Sequence, residues 1–169
     1  LEDRLSEEPN LTPTERADLR ERVNEHLRTA QGGFDRVCIG YGELDPRFLD
    51  RLQRAFERES WLSRAHCAYD LGEYEEAARL YDRVSRRYGE EHVALEALVQ
   101  IVNCYQKLGD PHQADIAHRN AMTRLHQLPD RAFDDPQSIM SRKTWEQWLR
   151  HRPIGGLADA STPQRGETP

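Results

Sequence analysis

Cysteine is scarce in this chain: its 169 residues hold three, Cys38, Cys67 and Cys104. Three cannot all pair within one chain, and none forms the CxxC spacing of a zinc or redox site. They read as buried small side chains, the common fate of free cysteine. Long apolar runs are missing as well. Hydrophobic residues make up 37% and charged ones 32%, with a mean hydropathy of −0.91. No stretch approaches the roughly 20 apolar residues of a membrane-crossing helix, so no direct membrane insertion is expected. A positive excess is also absent. The net charge of −6 and a pI near 5.7 argue against nucleic acid as the partner, because phosphate binding needs clustered positive charge.

Signatures of chemistry are equally sparse. There is no glycine-rich phosphate loop, no Gly-x-Ser-x-Gly elbow and no Cys/His pairing of known local form. Among seven histidines, His112, His118 and His126 are close in sequence, but a spacing of six does not put ligands on one helix face. No His-x3-His is present, so neither metal nor cofactor is expected and the chain does not read as an enzyme. Arginine outnumbers lysine 22 to 2, a bias that genome composition explains as readily as function. The first residue is Leu1 rather than Met, which suggests a processed chain or a segment of a longer protein.

What the chain does contain is helix. Residues 1–13 form a polar segment that ends in Thr12-Pro13-Thr14-Glu15, an N-cap followed by proline and a capping-box glutamate. Leu19, Val23, Leu27 and Ala30 then share one face, and Gly32-Gly33 is expected to end that helix. Residues 34–44 read as loop, which completes a helix-and-loop unit over 14–45. Asp45-Pro46 repeats the cap-then-proline signal, opening a long helix with an apolar stripe of Phe48, Leu52, Ala55, Phe56, Leu62 and Ala65. Further helices are expected near 74–88, 91–108 and 111–127. A proline-containing loop at 128–136 leads to a closing amphipathic helix over 137–151, capped by Asp135 or Ser141. Residues 152–169 have no apolar periodicity and read as a disordered tail.

Within 46–127 the chain repeats itself at an offset of 37. Cys67 falls on Cys104, Leu71-Gly72 on Leu108-Gly109, Glu73 on Asp110, and Ala77 on Ala114. Trp61, Tyr81 and Val84 fall on Leu98, His118 and Ala121. The pattern of Trp61, Ala65, Leu71 to Ala77, Tyr81 and Val84, with its weaker echo in Leu98, Ile101, Tyr105, Leu108 to Asp110, Ala114 and Ala121, resembles the tetratricopeptide repeat family. Small Ala65 and Ala77 let two helices approach, while Trp61 and Tyr81 fill the space between hairpins. Departures are Arg64, Ala68, Val102, Pro111 and Gly89, and a period longer than the family's usual length of about 34 residues.

The resemblance implies an all-α fold: a short helical-hairpin solenoid, wound as a right-handed superhelix, with flanking capping helices. About three units are normally needed, so the helices before 46 and after 128 would cap the ends, the second through Trp145 and Trp148. It further implies a divergent form of the kind found in bacterial cell-envelope scaffolds, with the cytoplasm as the alternative location. The family's groove-lining positions map to Glu59, Leu62, His66, Tyr69 and Asp70, and on the next unit to Glu96, Val99, Asn103, Gln106 and Lys107. In that mapping Leu62 and Val99 form an apolar pair that would hold a peptide or a partner helix. The expected function is therefore non-enzymatic protein binding, with capping or self-association as the alternative. Arg79, Arg83, Arg86 and Arg87 make a basic stripe that acidic neighbours, through pairs such as Glu75 with Arg79, turn into an ordinary solvated face.

Overall fold

The computed structural model describes residues 11–42, 44, 48–135 and 138–151. Among these residues the chain is entirely helical, with six α-helices and no strand. The expected disordered tail at 152–169 and most of the polar first segment lie outside the described residues.

The first helix, α1 (Pro13–Gly42), starts where its capping box stands. The Glu15 amide donates to Thr12 Oγ1 at 3.3 Å, and the Glu15 carboxylate accepts from the Thr12 amide at 2.8 Å. Its far end corrects the sequence reading: α1 runs through Gly32-Gly33 and takes in the stretch expected as loop. Each mid-helix glycine costs about 1 kcal/mol against alanine. Tertiary contact offsets that cost, because Cys38 is 2% exposed and Asp35 pairs with Arg64 of the next helix.

The second helix, α2 (Arg51–Asp70), also starts later than the Asp45-Pro46 signal suggests. Residues 45–47 are outside the described residues, and Asp50 is the cap. Gln53 closes the box, its amide donating to Asp50 Oδ1 at 2.8 Å while its side chain accepts from the Asp50 amide at 2.9 Å. The expected apolar stripe divides in two. Leu62 and Ala65 are buried, whereas Phe48, Leu52 and Phe56 face solvent.

Then follow α3 (Tyr74–Arg87), α4 (His92–Lys107) and α5 (Pro111–Gln127), within a residue of the expected limits. A short 3₁₀ turn, Asp130–Phe133, occupies the expected loop. The closing helix α6 (Arg142–His151) is capped from Ser141, whose Oγ accepts from the Thr144 amide at 3.2 Å. Each helix packs against its neighbours in the chain.

The internal repeat extends to backbone detail. Gly72 and Gly109 both take positive φ, 79° and 70°, where an L side chain is strained. Both turns are closed in the same way, by amide-to-carbonyl bonds from Glu73 to Ala68 and from Asp110 to Tyr105, each 2.9 Å long. Beyond each turn, Ala77 and Ala114 are fully buried, as their small size suggests.

One core runs through α2 to α6, with Tyr81, Leu80, Leu95, Leu125 and Trp145 among its largest buried members. Burying a leucine of this kind contributes about 1.5–3 kcal/mol. Trp145, 2% exposed, meets half-buried Trp148 edge-on at 5.7 Å, so α6 seals this end of the core. The Arg58 guanidinium on α2 joins Glu91 at 2.6 Å to Asp135 at 3.2 Å, bringing the start of α4 and the segment after the 3₁₀ turn to one place. All three cysteines are buried, and burial raises the Cys38 thiol to about 11 and the Cys104 thiol to about 12.

Candidate functional site

Two helices related by the 37-residue offset, α2 and α4, present matched rows of polar side chains. On α2, Glu59, Ser63, His66 and Asp70 follow at spacings of four, three and four, which keeps them on one helical face. On α4 the corresponding positions are Glu96, Gln100, Asn103 and Lys107. Glu59, Asp70 and Lys107 are exposed, and the other five are half-buried. Bonds run along each row: Ser63 Oγ donates to Glu59 Oε1 at 3.4 Å, and Asn103 Nδ2 donates to Gln100 Oε1 at 2.8 Å.

Eight of the ten residues mapped from the family pattern therefore keep some surface: Glu59, His66, Tyr69, Asp70, Glu96, Asn103, Gln106 and Lys107. The apolar pair does not. Leu62 and Val99 are 5% and 6% exposed and belong to the core, so they cannot meet a partner directly. Rotating by one residue reaches the solvent side, where Ser63 and Gln100 stand instead. Sequence reasoning misses these two, although their polarity and their offset of 37 are both visible there. Tyr69 spends part of its surface on Tyr74, edge-on at 5.2 Å.

Beneath the rows lie polar atoms without partners. Tyr81 of α3 is fully buried, and its hydroxyl makes no hydrogen bond. Asn103 Oδ1 and Gln106 Oε1 are likewise buried and unpaired. A buried polar group left unsatisfied costs about 1–3 kcal/mol, so three in one region mark an unfinished network. The Tyr81 ring stands edge-on to His66 at 5.5 Å.

Titration behaviour follows from this setting. Burial pushes the Tyr81 phenol far above its ordinary range, and among the nearby groups Asp70 and Glu96 add to the effect. Burial also raises Glu96, helped by the Glu59 carboxylate and opposed by Arg58. His66 is lowered by burial, with Asp70 and Glu59 pulling the other way. Both shifts arise chiefly from burial, which disfavours charge on either group.

Elsewhere the surface is more ordinary. An open cavity of about 890 Å³ is lined by Leu49, Leu52, Ala55, Arg58, Arg87 and Tyr88, among others. Of its four arginines, Arg58 is engaged by Glu91 and Asp135, Arg87 by Glu57, and Arg54 donates to the Leu49 carbonyl. A second, of about 530 Å³, has Leu98, Ile101, Ile116 and Ala117 in its lining and lies between α3, α4 and α5. Three members of the basic stripe of α3, Arg79, Arg83 and Arg86, are exposed, with Arg79 paired to Glu76 at 2.5 Å and Arg86 to Asp82 at 2.8 Å, whereas Arg87 departs from the expected solvated face by binding buried Glu57. His118 fills the position offset from Tyr81 but faces another neighbour, its Nε2 standing 3.0 Å from the Leu149 carbonyl and tying α5 to α6.

Among the described residues, no three His, Cys, Asp or Glu side chains come together as a metal-binding group. No helix among them is long and apolar enough to cross a membrane. Comparison of the chain with protein-family models, with curated proteins and with solved structures finds no match.

Proposed function

We propose that this chain is a non-enzymatic protein-interaction module, a tetratricopeptide-like hairpin solenoid that holds a peptide or helix of another protein across the face shared by α2 and α4. The observation that carries this reading is the matched pair of polar rows, repeated at 37 residues and underlain by buried polar atoms that lack partners. A bound chain would pair its backbone and side chains with the row groups that keep surface, Glu59, Ser63, Asp70, Gln100 and Lys107 among them. The repeated turns at Gly72 and Gly109 support the solenoid reading, since they set successive hairpins in equivalent local geometry.

The test is selection from a displayed library of random 16-residue peptides, run on the native chain and on a Ser63→Tyr/Gln100→Tyr variant. These neutral, bulky residues would cover the face from positions that are half-buried. The native chain should enrich a common motif and the variant should lose it. No enrichment by the native chain, or equal enrichment by a folded variant, would remove the face from consideration.

A further inference from the structure

The solvent-facing side of α2 changes character along its length. In its first two turns Leu52 and Phe56 are 78% and 52% exposed, and just before the helix Phe48 is 84% exposed. Leu52 and Phe56, four apart, share one face, and Phe56 meets Tyr41 edge-on at 6.3 Å. The same line continues through Glu59, Ser63, His66 and Asp70, so an apolar half passes directly into an acidic one. Leu52 also rims the open cavity of about 890 Å³, whose lining is mostly charged.

The acidic half is built for donors. The Arg58–Glu91 pair at 2.6 Å holds α2 against the start of α4, which sets Glu59 and Glu96 on the two helices just beyond that clasp, where their charges act on each other. Glu96 has no ion-pair partner among the described residues. Arg58, which opposes their charge, has its guanidinium held by Glu91 and Asp135. Farther along α4 stand Asn103 Oδ1 and Gln106 Oε1, buried acceptors without donors, so this face is short of donors along its length. A guanidinium or ammonium group is the complement, because it donates several hydrogen bonds and accepts none.

We infer that the occupant of this face is a protein segment of split character: apolar side chains rest on Phe48, Leu52 and Phe56, and an arginine or lysine enters between Glu59 and Glu96. This rests on the reading of the α2 and α4 face as a binding surface. Along α2, Leu52 and Glu59 are about 10 Å apart, so an α-helical partner would carry its two halves about two turns apart.

Four fluorescein-labelled 14-residue peptides test it by anisotropy, each with a leucine block and a block of either arginine or glutamate, in both chain orders. An arginine peptide should bind the native chain, weaken with added salt, and bind a Glu59→Gln/Glu96→Gln variant about tenfold or more less tightly. Leu52→Ser/Phe56→Ser, at exposed positions, should weaken it as well. Equal binding of a glutamate peptide, or full binding by the carboxamide variant, would overturn the inference. So would a native dimer in sedimentation that Leu52→Ser/Phe56→Ser disperses, since the stripe would then belong to a second copy. Library-selected peptides that need Ser63 and Gln100 uncovered, yet lack basic residues, would sink this inference while leaving the binding face intact. Failure of both designed and selected peptides would remove both.

Discussion

At the residue scale, the strongest electrostatic commitment is Glu57. It sits on α2 with a side chain only 5% exposed, and its carboxylate accepts from Arg87 Nε at 3.0 Å. The guanidinium lies over Trp61 and Tyr88, with ring distances of 5.3 and 5.9 Å, so its position is fixed by stacking as well as charge. Removing Arg87 strands a buried charge. Arg87→Ala should cost about 3 kcal/mol in urea denaturation, the low end for such a pair because Arg87 keeps a third of its surface in water. Adding Glu57→Gln should recover much of that loss; no recovery would mean that stacking on Trp61 carries the stability. Single residues also show where sequence reading stops. Leu62 and Val99 read as groove lining because they sit in helices whose faces alternate every few residues, yet a shift of 100° per residue separates core from solvent. Ser63 and Gln100 bear the surface, and only the packing of the neighbouring helices reveals which side of the boundary each position takes.

At the element scale, the legible parts are those governed by local chemistry. The cap at Thr12, the paired turns, and the helices from α3 to α5 all follow from residues within one turn of each other, while the sequence leaves the cap of α6 open between Asp135 and Ser141 and the structure places it at Ser141. The illegible part is α1 beyond Gly32-Gly33. Two glycines signal an end, but Phe34, Cys38 and Tyr41 resume helical spacing, and α2 supplies the packing that overrides propensity. Exposed Phe48, Leu52 and Phe56 mislead the pattern in the opposite direction, since periodicity predicts a face and not its cover. The turns give a sharp expectation. Gly72→Ala and Gly109→Ala each force an L side chain into left-handed backbone, and each should cost about 1–2 kcal/mol in thermal or chemical unfolding. Neither added Cβ would meet another atom within 4 Å, so the penalty reports backbone strain alone. Unequal losses would mean that the two turns are not equivalent units.

At the scale of the whole molecule, helices that pack in chain order make mostly local contacts, which favours fast folding. Arg58 reaches much farther, to Asp135 across 77 positions. Asp135→Asn should lower global stability by about 1 kcal/mol, because Arg58 is largely buried but keeps Glu91. Native-state hydrogen exchange is the sharper reading: protection in α6 should fall while that in α3 and α4 holds. Equal loss everywhere would place the effect in the core instead. A row of hairpins held only by neighbours would come apart like stacked tiles, from whichever end loosened first. The Arg58 clasp ties the segment after α5 back to α2, so loosening that segment must break a bond to a helix laid down far earlier in the chain.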